Sequence, residues 1–150
     1  IRGNLTVYEA VVLMMTALGS LRCHDKSRVI PVGYSMLLIL YITLLRRTPE
    51  YNEEIRYHIS FLPDVKVWTG NLLNVILYIP LGGTIYNMAA SIKGTAFAAL
   101  LSSVLCEIIQ YFTHRGVADI NDVLFNLIGA CAGALLFRAF RAFKKKKDLQ

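Results

Sequence analysis

The stretch SVLCEIIQYFTHRGVADINDVLFN, residues 103–126, decides how this chain folds. It is too apolar for a soluble loop, yet it carries Glu107, Gln110, Arg115, Asp119, Asp122 and Asn126, which a lipid-facing helix avoids. At helical periodicity Ser103, Glu107 and Gln110 fall on one stripe. Asp119, Asp122, Asn126, Gly129 and Gly133 fall on another. The stretch therefore reads as a hairpin of two membrane spans joined by the short turn HRGVA, with the two polar faces turned toward each other. The glycines that continue the second stripe would let the two backbones of the hairpin approach closely.

Working outward, the 150-residue chain is 55% hydrophobic and only 17% charged, with positive mean hydropathy, which marks a membrane protein of one domain. Val29–Leu45 is an uncharged run closed by arginines, and Val67–Ile92 exceeds the roughly 20 residues needed to cross a bilayer. Gly94–Thr113 and Ile120–Phe137 are apolar runs interrupted near one end by acids and amides. The expected fold is all-α, a small polytopic bundle of four to five transmembrane helices. The fifth candidate is Leu5–Leu21, which has twelve uncharged residues after Glu9. It fits a short span, an interfacial helix or the remnant of a signal peptide. A span is favoured, because only Arg2 precedes it and a signal peptide wants a basic start and a small-residue cleavage site. This divides the chain into an N-terminal segment and loop (1–28), a transmembrane domain (29–138) and a basic tail (139–150).

The net charge of +6 does not point to nucleic acid. Six of the sixteen basic residues lie in RAFRAFKKKKDLQ after the last apolar run, with no aromatic-lined globular domain to present them. With five spans, the tail shares a side with Arg22, Lys26, Arg28 and Lys93, ten basic residues against six on the other side. The positive-inside rule then puts the tail in the cytoplasm and the HRGVA turn outside, together with the 46–66 loop; Arg46 and Arg47 weigh against this. In that loop Tyr51, Tyr57 and Phe61, followed by Trp68, suit the head-group layer. Cys23, Cys106 and Cys131 form no C-x-x-C pair, and His24, His58 and His114 are scattered over different loops, so neither a metal nor another cofactor is expected.

Depth follows from the rise of about 1.5 Å per residue. Glu107 and Asn126 each lie about 9–10 Å below the outer end and are expected to share a layer. Gln110 and Asp122 form a second layer above them, with Arg115 and Asp119 at the mouth. The third segment, NLLNVILYIPLGG at 71–83, places Asn71, Asn74 and Tyr78 on one face, with Asn74 completing the deepest layer and Pro80 kinking the helix. A charge inside a span costs about 2.5–3.5 kcal/mol on insertion scales, so Glu107 faces the protein interior and needs a purpose.

Each of these residues also has a plain structural reading. Asp119 with an acid three residues on suits a helix N-cap. Arg115 suits an interfacial anchor as well as a phosphate or carboxylate partner. Glu107 suits a helix-gluing hydrogen bond, although a functional site is favoured. Ser103 and Gln110 suit network members, and Tyr78 and Cys106 suit the core.

The patterns N-x-x-x-Y-x-P-L-G at 74–82, S-x-x-x-E-x-x-Q at 103–110 and R-x-x-x-D-x-x-D-x-x-x-N-x-x-G at 115–129, in that order, resemble the VanZ family. The resemblance covers residues 29–137, and the family usually has phenylalanine where this chain has Tyr78. It implies a small bacterial inner-membrane protein, the founding member being linked to low-level resistance to teicoplanin and related lipoglycopeptides. Its motif residues here are Asn74, Pro80, Gly82, Ser103, Glu107, Gln110, Arg115, Asp119, Asp122, Asn126 and Gly129. Two functions follow as expectations. One is a non-enzymatic polar pocket that binds a cell-envelope lipid or precursor head group, or a lipoglycopeptide. The other is an intramembrane enzyme acting on a lipid-linked or cell-wall substrate, with Glu107 as general base and Asp119 or Asp122 as acid. A transporter fits less well, since no polar path continues past Gly129.

Overall fold

The computed structural model describes residues 7–20, 28–45, 55–56 and 65–147. Helix α1 is Val7–Ser20, and α2, Val29–Leu40, continues into a π-helical turn at Tyr41–Leu45. Strand β1 is Ile55–Arg56, α3 is Val65–Ala89, α4 is Ile92–Thr113, β2 is Ala118–Asp119 and α5 is Ile120–Lys147. Arg2, the basic residues of 22–27 and most of the 46–64 loop, with Arg46, Arg47, Tyr51, Tyr57 and Phe61, lie outside the described residues.

The protein is an all-α bundle. Helices α4 and α5, and α3 from Trp68 onward, are long and apolar enough to cross a membrane, while Val29–Leu45 is a shorter apolar helix. Helix α1 has 14 residues, a rise of about 21 Å against a hydrocarbon core of about 30 Å. It packs on α2 and α3.

Two boundaries differ from the sequence reading. The apolar run Val67–Ile92 crosses a tight turn: α3 stops at Ala89, Ala90 takes a left-handed conformation (φ 52°), and Ser91 caps α4 by accepting the Gly94 amide at 3.1 Å. A two-residue turn built on alanine and serine leaves no glycine or proline to mark it. At the other end, α5 does not stop near Phe137 but runs on through the basic residues to Lys147. Lysine and arginine are good helix formers and suit a helix C-terminus.

Helices α3 and α5 run parallel and form the most extensive packing in the bundle. The reason is the absence of side chains. A Cβ on Gly82 would collide with the carbonyl oxygen of Ala130, one on Gly129 with that of Val75, and one on Gly133 with that of Ile79. Ile39, Ile42, Leu77, Tyr78, Leu81, Ile85, Ala99 and Ala130 fill the core around this seam. Helix α3 passes through the buried Pro80 within its helical span. The α4–α5 connector, 114–119, lies at the same end of the bundle as the end of α2 and the start of α3. There β1 runs parallel to β2, with Ile55 opposite Ala118 and Arg56 opposite Asp119.

Candidate functional site

The polar residues of the hairpin gather at the connector end, between α2, α3, α4 and α5. Helix α4 closes with His114 in a left-handed conformation (φ 52°). The chain then turns back alongside α4 before α5 begins, which brings the Asp119 amide within 2.9 Å of the Glu107 carboxylate. Glu107, six residues before the end of α4, is thus level with the start of α5 instead of with Asn126. The expected layers shift by about one helical turn, because counting residues from the turn treats the two helix ends as level.

Three contacts replace the expected layers. The Asn74 amide donates to Asp122 at 2.6 Å. The Asn126 amide donates to the Ser103 hydroxyl at 2.9 Å, one turn beneath Glu107. The Asp119 carboxylate accepts both the backbone and the side-chain amide of Asn121 at 2.8 Å, the geometry of an N-cap. Asn74, Glu107 and Asn126 therefore belong to three neighbouring contacts and not to one triad.

Gln110 and Arg115 turn away from these contacts toward α2. The Gln110 amide donates to the Thr43 carbonyl at 3.3 Å, and Arg115 Nη1 donates to the carbonyls of Leu44 at 3.1 Å and Leu45 at 3.3 Å. The last carbonyls of a helix have no partner within it, and within a bilayer no water replaces one. Arg115 and Gln110 thus close the C-terminal end of the π turn, and Glu107 meets the backbone amide that precedes α5. Much of the polarity in the motif serves backbone groups where helices end.

Two amide oxygens remain beyond this service. Gln110 is 2% exposed and Asn126 6% exposed, and Gln110 Oε1 and Asn126 Oδ1 have no hydrogen-bond partner among the described residues. A buried acceptor left unpaired costs about 1–3 kcal/mol, which a structure keeps only for a reason. Tyr78 is 1% exposed, and its hydroxyl, near Ser102, Ser103 and Cys106, has no hydrogen-bond partner among the described residues. Asp119 and Asp122 are half-buried and border the cluster toward its open end. Trp68, at the same end of α3, packs edge-on against Phe125 of α5 at 6.4 Å. Sequence reasoning missed Asn121 and the carbonyls of 43–45. Asn121 was marked by the D-x-N spacing after the turn, whereas the carbonyls carry no side-chain signal.

The fold and this cluster define an all-α polytopic membrane protein whose motif side chains gather toward one end of the bundle. The chain belongs to the VanZ/LLP1 family, whose model matches residues 7–141 and so takes in α1 and most of α5 as well as the motif helices. No curated protein and no solved structure matched the chain.

Proposed function

We propose that this VanZ/LLP1 protein is a non-enzymatic module of the bacterial inner membrane. Its connector end faces outward, and its polar cluster binds a cell-envelope lipid or precursor head group, or the head of a lipoglycopeptide. By that binding it reduces access of teicoplanin-type antibiotics to their target. The observation that carries this reading is the pair of buried, unpartnered oxygens on Gln110 and Asn126, bordered by the half-buried Asp119 and Asp122. Such acceptors within two turns of the bundle end are suited to a partner that brings its own donors from the head-group layer. Glu107 as a general base is disfavoured because its carboxylate already accepts the Asp119 amide.

The test is expression in a susceptible bacterium, with equal membrane levels checked by immunoblot. The inhibitory concentration of teicoplanin is expected to rise more than that of vancomycin, and Arg115→Ala is expected to lower the gain by loosening the end of α2. An unchanged teicoplanin susceptibility with the protein present in the membrane would count against the reading.

A further inference from the structure

Helix α5 outlasts the bundle at the end opposite the connector. Gly129 and Gly133 meet the Val75 and Ile79 carbonyls, and Gly83 faces the Phe137 ring, the same step along both parallel helices at each contact. That register sets Phe140 level with Tyr86 and Phe143 level with Ala89, where α3 ends. Lys144–Lys147 therefore lie beyond the α3–α4 turn and are still helical. At about 1.5 Å per residue the 28 residues of α5 rise about 42 Å, against about 30 Å of hydrocarbon, so its last turns reach the head-group layer.

This overhang has two kinds of surface. Leu136, Phe140 and Phe143, spaced i, i+4, i+7, form one stripe and are 59%, 49% and 75% exposed, while Phe137 beside them is buried. Lys147 continues the stripe and Lys144 lies one turn beyond Phe140; both are exposed. An apolar stripe that ends in two cations has the outline of a phospholipid, with an acyl chain along the aromatics and a phosphate at the lysines.

The sign of the partner follows from the surroundings. Lys93, Arg138 and Arg141 lie at the same end, as does Arg28, whose Nη1 donates to the Asn87 carbonyl in the last turn of α3. The described acids are Glu9, Glu107, Asp119 and Asp122, so the last two turns of α3, the first two of α4 and all of described α5 beyond Asp122 hold none. A lysine at a helix C-terminus also suits the helix dipole. The dipole gives no reason for the exposed aromatics that lead up to it.

We propose that the end of α5 is a site for an acidic phospholipid, held by Lys144 and Lys147 at its phosphate and by Leu136, Phe140 and Phe143 along its acyl chain. A zwitterionic lipid brings its own cation among the lysines, whereas an acidic one brings the complementary net charge. The site lies at the opposite end from the connector cluster and does not depend on the function proposed above.

The test uses the full chain in nanodiscs holding equal amounts of phosphatidylglycerol and phosphatidylcholine with matched acyl chains. Retained lipid is read by native mass spectrometry. Phosphatidylglycerol is expected to be retained roughly tenfold over phosphatidylcholine, equivalent to about 1.4 kcal/mol. Lys144→Gln with Lys147→Gln is expected to remove most of that preference, and Phe140→Ala with Phe143→Ala to lower retention of both lipids. Lys93→Gln with Arg138→Gln removes the same charge from exposed positions off the stripe and is expected to leave the preference in place. The single lysine changes, each expected to lose part of the preference, decide the matter if the pair does not fold. Equal retention of the two lipids by the unaltered chain overturns the proposal. So does an equal loss in the Lys93 and Arg138 control, which would reduce the effect to net charge, or displacement of the lipid by inorganic phosphate.

Discussion

Gly133→Leu is expected to prevent the bundle from assembling. A Cβ at Gly133 would strike the Ile79 carbonyl oxygen and lie 2.9 Å from the Gly83 amide nitrogen, so the obstruction is backbone and cannot rotate away. Overfilling a packed core costs about 1–3 kcal/mol where side chains can yield. Here α3 and α5 have to separate along their whole seam, and Gly82 and Gly129 lose their contacts together. The expected result is little protein in the membrane fraction and a collapsed melting transition in detergent. Gly70→Ala is the internal control. It lies in the same α3, nothing stands within 4 Å of the added Cβ, and the change is expected to be neutral or to stabilise by up to about 1 kcal/mol. A gain at both sites would mean that helix propensity governs stability, and a similar loss at both that the clash at the seam does not set it.

The second large effect is expected at Glu107. In Glu107→Ala the half-buried Asp119 amide loses its acceptor at the start of α5, and stability should fall by about 1–3 kcal/mol. Glu107→Gln keeps an oxygen at the same place, so it should retain most of the stability and, on the binding account, much of the protection against teicoplanin. Thermal unfolding of both variants, beside their susceptibility profiles, separates the roles. A Glu107→Gln protein that folds like the parent yet has lost all function would favour the intramembrane enzyme.

The hairpin was legible in residues 103–126 because periodicity survives burial: Ser103, Glu107 and Gln110 do share a buried face, and the glycine stripe of α5 does meet a backbone. The partner of those glycines was misread. Sequence proximity sets them against α4, whereas Gly129 and Gly133 meet the Val75 and Ile79 carbonyls of α3, and Gly82 of α3 meets Ala130 in return. Pairing within the cluster was not legible either. It depends on where the connector returns to the bundle, and a shift of one turn moves Asn126 from Glu107 to Ser103. The role of Arg115 was hidden for a different reason. Its partners are main-chain carbonyls at the end of α2, and backbone groups leave no trace in residue identity.

In the proposed function the polar cluster opens to the outer side of the membrane, where a head group or a lipoglycopeptide can reach it. Thr113, exposed at the last position of α4, reports on that end of the bundle, and Lys147, the last residue of α5, on the other. In a variant whose Cys23, Cys106 and Cys131 are replaced, Thr113→Cys should react with a membrane-impermeant thiol reagent in intact cells. Lys147→Cys should react only after the cells are opened. The reverse pattern would contradict the account, since it would place Asp119, Asp122 and the acceptors behind them on the cytoplasmic side.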